Sequence, residues 1–178
     1  SLKQLHRRIM LSQVWQQSST EHPTFATAMD KDPENTLLWR QNVRRMEFEP
    51  LRDSILAVTG NLDKTIAGRS VPLYSDANEN RRTVYALVDR TNIPTVMSTF
   101  DVPNPNLTQG ERFVSTVSPQ ALFLMNNSFV LNNVRKLARS EEFKSLPEDS
   151  SRIEWLYRRI LQRDASPQET ELLSRLLP

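Results

Sequence analysis

Between residues 81 and 126 the chain sets charged, hydroxyl and amide side chains into apolar sequence: RRTVYALVDRTNIPTVMSTFDVPNPN is followed closely by RFVSTVSPQALFLMNN. Arg82, Arg90, Asp101, Arg112, Ser115, Thr116, Gln120 and Asn126 are the residues there that could bind or react. A carboxylate among core residues is expensive unless it is paired, so Asp101 is expected to meet one or two of the arginines. Such a cluster supports two readings. It can be an ion pair with amides that fastens a loop to a helix, or a pocket in which arginines meet an anionic or polyhydroxyl ligand. In the enzymatic form of the second reading, Asp101 is acid or base and Arg90 and Arg112 are electrostatic clamps, in hydrolytic or oxidative chemistry on carbohydrate. Glycoside hydrolysis wants a second carboxylate at about 5 to 10 Å, and no candidate stands out.

Other chemistries find little material. Without cysteine the chain has no thiolate metal site, no disulfide and no thiol nucleophile. His6 and His22 have no partner at metal-ligand spacing, so no metal site is assigned. No glycine-rich phosphate loop and no nucleophile elbow occurs. Glu47, Glu49 and Asp53 share a segment with Arg44, Arg45 and Arg52, which reads as spaced ion pairs on a solvated helix face. The tail WLYRRILQRDASPQETELLSRL could imitate a helix-turn-helix, but Glu169 and Glu171 stand where a DNA reader needs basic or amide side chains. Charge points the same way: residues 1–100 carry 13 basic and 11 acidic side chains, and 101–178 carry 10 and 10. Nucleic acid is therefore not an expected partner.

The elements that must position the cluster are mostly helical. Leu2, Leu5, Ile9, Val14 and Trp15 predict a helix over about 2–18. Asp32 before Pro33 predicts a cap and first turn, with a short helix through Leu37, Leu38 and Trp39. RRMEFEPLRDSILAVTGNL predicts a helix that Gly60 ends in a left-handed conformation, with Pro50 in its first turn or bending it. Residues 61–81 read as irregular, and 83–88 as one short strand. A helical turn is expected in NIPTVMSTFDV, then a loop through PNPNLTQGERFVST. Ser118-Pro119-Gln120 opens a helix interrupted near Asn126-Asn127-Ser128, and RIEWLYRRILQRD forms another. Ser166 and Glu169 form a capping box.

The expected fold is therefore mainly α: a single-domain assembly of six or seven helices with at most one or two short strands. Residues 1–178 read as one domain, with 150–178 as a helical hairpin appendage. Of the 178 residues, 38% are hydrophobic and 25% charged, with three glycines and eleven prolines, which suits a folded helical chain with stiff loops. No apolar run approaches the roughly 20 residues of a membrane-spanning helix. Amphipathic sequence at both ends gives the expectation of a C-terminal fragment of a larger multidomain protein.

The blocks DPENTLLWR, RRMEFEPLRDSILAVTGNLD, RRTVYALVDRTNIPTVMSTFDVPNPN, RFVSTVSPQALFLMNNSFV and LYRRILQRDASPQE succeed one another in order and spacing over essentially the whole chain. In this the sequence resembles the domain of unknown function 1553, a C-terminal domain of large planctomycete-type proteins that accompanies a cytochrome c-like domain. Arg81, Arg82, Tyr85, Arg90, Asp101, Pro103, Arg112, Gln120 and Asn126 fall at that family's characteristic positions. The resemblance assigns them no roles. It implies a periplasmic or envelope location, the other domains of the same polypeptide as partners, and polysaccharide as a further ligand class. It places haem c in another domain of the full-length protein, since this chain has no Cys-x-x-Cys-His and no cofactor is expected within it. The expected function is a non-catalytic interaction or assembly module. A carbohydrate-active enzyme domain using Asp101, Arg90 and Arg112 is the alternative.

Overall fold

The computed structural model describes residues 1–74 and 80–176. They fall into two compact units, Ser1–Arg45 and Met46–Pro178. Nine α-helices are present among the described residues, more than the six or seven expected, and only isolated bridges take the place of strands. The fold is mainly α, as expected.

In the first unit α1 runs Leu2–Met10, shorter than the predicted 2–18, because the Ser12 hydroxyl donates to the Ile9 carbonyl (2.7 Å) and accepts from the Trp15 N–H (3.3 Å). Such local side-chain bonding competes with helix continuation. A second helix, α2 (Phe25–Lys31), has no counterpart among the predicted elements. The helix expected after Asp32 is absent. Asp32 instead closes α2, and its carboxylate accepts from the backbone N–H groups of Thr36 (2.9 Å) and Leu37 (2.8 Å) and from the Thr36 hydroxyl (2.9 Å). These bonds, that from Leu37 first, hold the carboxyl below the usual aspartate range. Asn35 and Leu38 adopt left-handed φ values of 58° and 54°, which no helix accommodates. The Trp39 indole donates to the Asp32 carbonyl (2.9 Å) and packs edge-on to Phe25.

In the second unit α3 (Phe48–Val58) follows the predicted pattern, with Pro50 in its first turn and Gly60 at φ 73° behind it. The expected strand at 83–88 does not form. Thr83–Tyr85 is a single 3-10 turn, initiated because the Asp53 carboxylate accepts from both the N–H (2.7 Å) and the hydroxyl (2.6 Å) of Thr83. Among the described residues one parallel bridge, Val71 with Ala86, joins this segment to its neighbour. Pro72, which has no N–H, follows Val71 directly and gives that ladder nothing to continue with. The part of the predicted 61–81 loop at 75–79 lies outside the described residues.

The remaining helices are α4 (Thr95–Thr99), α5 (Ser118–Asn126), α6 (Ser128–Ala138), α7 (Glu141–Lys144), α8 (Asp149–Leu156) and α9 (Pro167–Leu176), with a π turn at Tyr157–Leu161. The predicted interruption is real: Asn127 closes α5, and its side chain accepts from the Phe129 N–H (2.9 Å) to cap α6. The capping box also forms, with Ser166 and Glu169 exchanging bonds of 2.9 and 3.2 Å. Arg163, bonded to both Glu169 oxygens, lowers that carboxyl to about 2.

Two apolar clusters form among the described residues of the unit. Phe48, Leu73, Met97 and Phe100 form one, and Leu56, Phe129 and Val130 the other, with Phe123 packed against both. Between them runs Arg52, a buried residue on α3. One guanidinium nitrogen donates to the Arg81 carbonyl (2.8 Å) and the Thr83 hydroxyl (3.3 Å), and the other to the Leu73 carbonyl (3.2 Å). Its face lies 4.9 Å from the Phe129 ring centroid. Arg52→Met would keep much of the stem's packing but leave those carbonyls without their donor. Urea unfolding is expected to show a loss of about 2–4 kcal/mol with an unchanged slope.

Candidate functional site

Asp101 sits two residues beyond the last residue of α4, directly after the C-cap Phe100. Its φ of 58° is left-handed, and the Val102 N–H reaches back to the Met97 carbonyl (2.9 Å) while the Asp101 N–H meets that of Ser98 (3.3 Å). This is the Schellman closure of a helix, at a position usually given to glycine and sometimes to a short polar residue. The turn aims the carboxylate at the incoming loop. There one oxygen accepts from both the N–H and the hydroxyl of Ser115, each at 2.7 Å.

Gln120 completes the cluster from the first turn of α5. It is buried, its amide nitrogen donates to the Thr99 carbonyl (2.9 Å) and the Ser115 hydroxyl (3.4 Å), and its amide oxygen accepts from the Val117 N–H (3.4 Å). Val117, rather than Ser118, therefore stands at the cap position, and Pro119 lies within the first turn. Asp101, Ser115 and Gln120 together bind the end of α4 to the start of α5.

The expected partnership of Asp101 with arginine is not what forms. Arg112 spans Glu49 with two bonds of 2.9 Å and also reaches Glu47 (2.9 Å). Arg82 lies 3.6 Å from Asp53. Arg90 is exposed, and its backbone carbonyl accepts from the Asn106 amide (3.1 Å). Two donors from one serine meet Oδ2 of the Asp101 carboxylate in place of an arginine. Thr116 and Asn126 are exposed, and the neighbouring Asn127 performs the capping.

Arg82 and Arg112 meet carboxylates of α3 instead. Glu49 and Asp53, one helical turn apart, line an open groove of ≈ 400 Å³ with Pro50, Ala57, Arg82 and Val84. Arg112 stands 63 residues from Glu49 in sequence, and Thr83 stands 30 from Asp53, so the expected pairing along the helix surface is replaced by ties between segments. Only the i, i+4 spacing of Glu49 and Asp53 is visible in the sequence, and spacing alone does not identify a distant arginine. Bonding to Arg112 holds the Glu49 carboxyl below its usual value of 4.5, so it is ionised at neutral pH. Among the described residues no group of three or more His, Asp or Glu side chains could hold a metal ion.

Residues 1–177 match the model of a family described as Protein of unknown function (DUF1553). No curated protein and no solved structure matches the chain.

Two measurements follow from this geometry. Asp101→Ala removes the acceptor and places a poorly tolerated side chain at positive φ, whereas Asp101→Gly removes the acceptor alone. Thermal unfolding should rank wild type above glycine above alanine, with the alanine variant about 2 kcal/mol less stable and its midpoint lower by about 4–8 °C. Glu49 has a lowered folded value, so its contribution is full above pH 4.5 and is lost as pH falls through that lowered value. Urea midpoints measured down the acid range should fall more steeply for wild type than for Arg112→Leu, which lacks the cation that lowers Glu49.

Proposed function

The chain belongs to the DUF1553 family of proteins of unknown function, and from that premise we propose that it is a non-catalytic interaction and assembly module of a large bacterial envelope protein. The observation that carries this reading is the way the reactive-looking side chains are spent. Asp101 is turned onto Ser115, Arg112 onto Glu47 and Glu49, and Asp53 onto Thr83. A catalytic cluster needs an acid, base or nucleophile left facing a reactant, and each of these groups faces a protein partner instead.

The surface supports an interaction role. Arg112 and Ser115 are anchored on either side of Phe113 and Val114, which stand 77% and 72% exposed. Two adjacent apolar residues held out between two fixed ones are suited to contact with another protein surface. The carbohydrate-active alternative has Asp101 work beside Arg90 and Arg112, whereas Arg112 bonds Glu47 and Glu49 and Arg90 is exposed, which favours the interaction reading.

Release of reducing ends or oxidised sugars from a panel of envelope and plant polysaccharides, measured for wild type and Asp101→Asn, tests the reading. No turnover by either protein is expected. Turnover by wild type that Asp101→Asn abolishes while remaining folded would establish the enzyme instead.

A further inference from the structure

The first unit carries a second apolar surface with a chemical signature of its own. Leu2, Leu5 and Ile9 recur at i, i+3 and i+7 and so share one face of α1, yet they are 75%, 52% and 46% exposed and no residue of α1 is buried. Lys3, Arg7 and Arg8 stand on the helix outside that face, with Gln4, His6 and Met10, and no acidic residue occurs before Glu21. We infer that α1 is a docking helix: Leu2, Leu5 and Ile9 enter an apolar groove on a protein partner, and carboxylates on that groove's rim meet Lys3, Arg7 and Arg8. This rests on the reading of the chain as an interaction module and names the surface and the partner's chemistry.

Anchors at i, i+3 and i+7 are the pattern by which an amphipathic helix is held in a groove. The unbroken positive charge supplies the complementarity, since a basic or neutral rim would leave three cations facing desolvation without partners. An anionic lipid surface shares the charge but fits the shape less well. Binding to a bilayer scales with the apolar area laid into it, and Ser12 ends this helix after nine residues, so the face shared by Leu2, Leu5 and Ile9 is about two turns long, with Met10 and Leu11 adding apolar surface only at its end.

The test places a photo-crosslinking p-benzoylphenylalanine at position 5 of the complete polypeptide in its native cells, with the adducts identified by mass spectrometry. The expected product is a peptide of another protein domain that combines apolar residues with Asp or Glu. A zero-length carbodiimide should join Lys3 to a carboxylate of that same partner. Arg7→Glu with Arg8→Glu should reduce the position 5 adduct by about tenfold or more, the effect of placing like charges across the rim. Adducts to lipid, to the same helix of a second copy, or to residues 46–176 of the same chain would each overturn the inference, as would a yield indifferent to the charge reversal or no adduct at all. The same crosslinker at position 113 separates the two proposals. Adducts from 113 with none from 5 retire the α1 inference alone, and none from either position retires the interaction module with it.

Discussion

The second unit depends on the buried guanidinium of Arg52. The segments at 71–73 and 81–86 are joined to each other by a single bridge and lie against the apolar core; backbone N–H groups reach the carbonyls of Val71, Arg82, Thr83 and Tyr85, while those of Leu73 and Arg81 depend on a side-chain donor. Unsatisfied carbonyls in such a place would oppose burial of the side chains beside them. Arg52 answers this by donating to the carbonyls of Leu73 and Arg81 and to the Thr83 hydroxyl from one rigid fork while its face covers Phe129. Arginine is suited to the position, since a planar group with several fixed donors and weak hydration can serve carbonyls and a ring at once.

The same device recurs through the unit. Arg81 donates to the carbonyls of Thr65, Ala67 and Arg69 and stacks 4.2 Å from the Tyr85 centroid, folding a loop around itself. Asn133 receives Thr59 (3.0 Å) and Asn61 (3.2 Å) and so ties the end of α3 to α6. Asp101, Ser115 and Gln120 do the equivalent for α4 and α5. Side chains bonded to loop backbone replace the sheet that a chain with this much irregular structure would otherwise use. That arrangement consumes polar groups, which is why a cluster rich in arginine, aspartate and amide need not be a site.

Elements whose cause is local are legible in the sequence. Gly60 behind α3, the break at Asn127 and the Ser166–Glu169 box each depend on residues within a few positions of one another. The failures share a different cause. Residues 83–88 have the composition of a strand, but their conformation is decided by Asp53, which holds Thr83 from 30 residues away in sequence. Asp32 beside Pro33 has the signature of a helix cap, and it does accept backbone N–H bonds, but the left-handed turns at Asn35 and Leu38 redirect the chain. Among the candidate site residues, Asp101, Ser115 and Gln120 do share one cluster, whereas charge alone suggests Arg82, Arg90 and Arg112 as partners of Asp101. The serine wins because the Schellman turn fixes where the carboxylate points, and that direction has no signature in composition.

A double-mutant cycle on Asp101→Asn and Ser115→Ala, followed by urea unfolding, tests most directly whether this polar cluster is a structural tie. If the two side chains act on each other, the double variant should be less destabilised than the sum of the single losses by about 1 kcal/mol. Losses that add to within about 0.3 kcal/mol would show that the two do not stabilise the fold through one another, and would contradict the account.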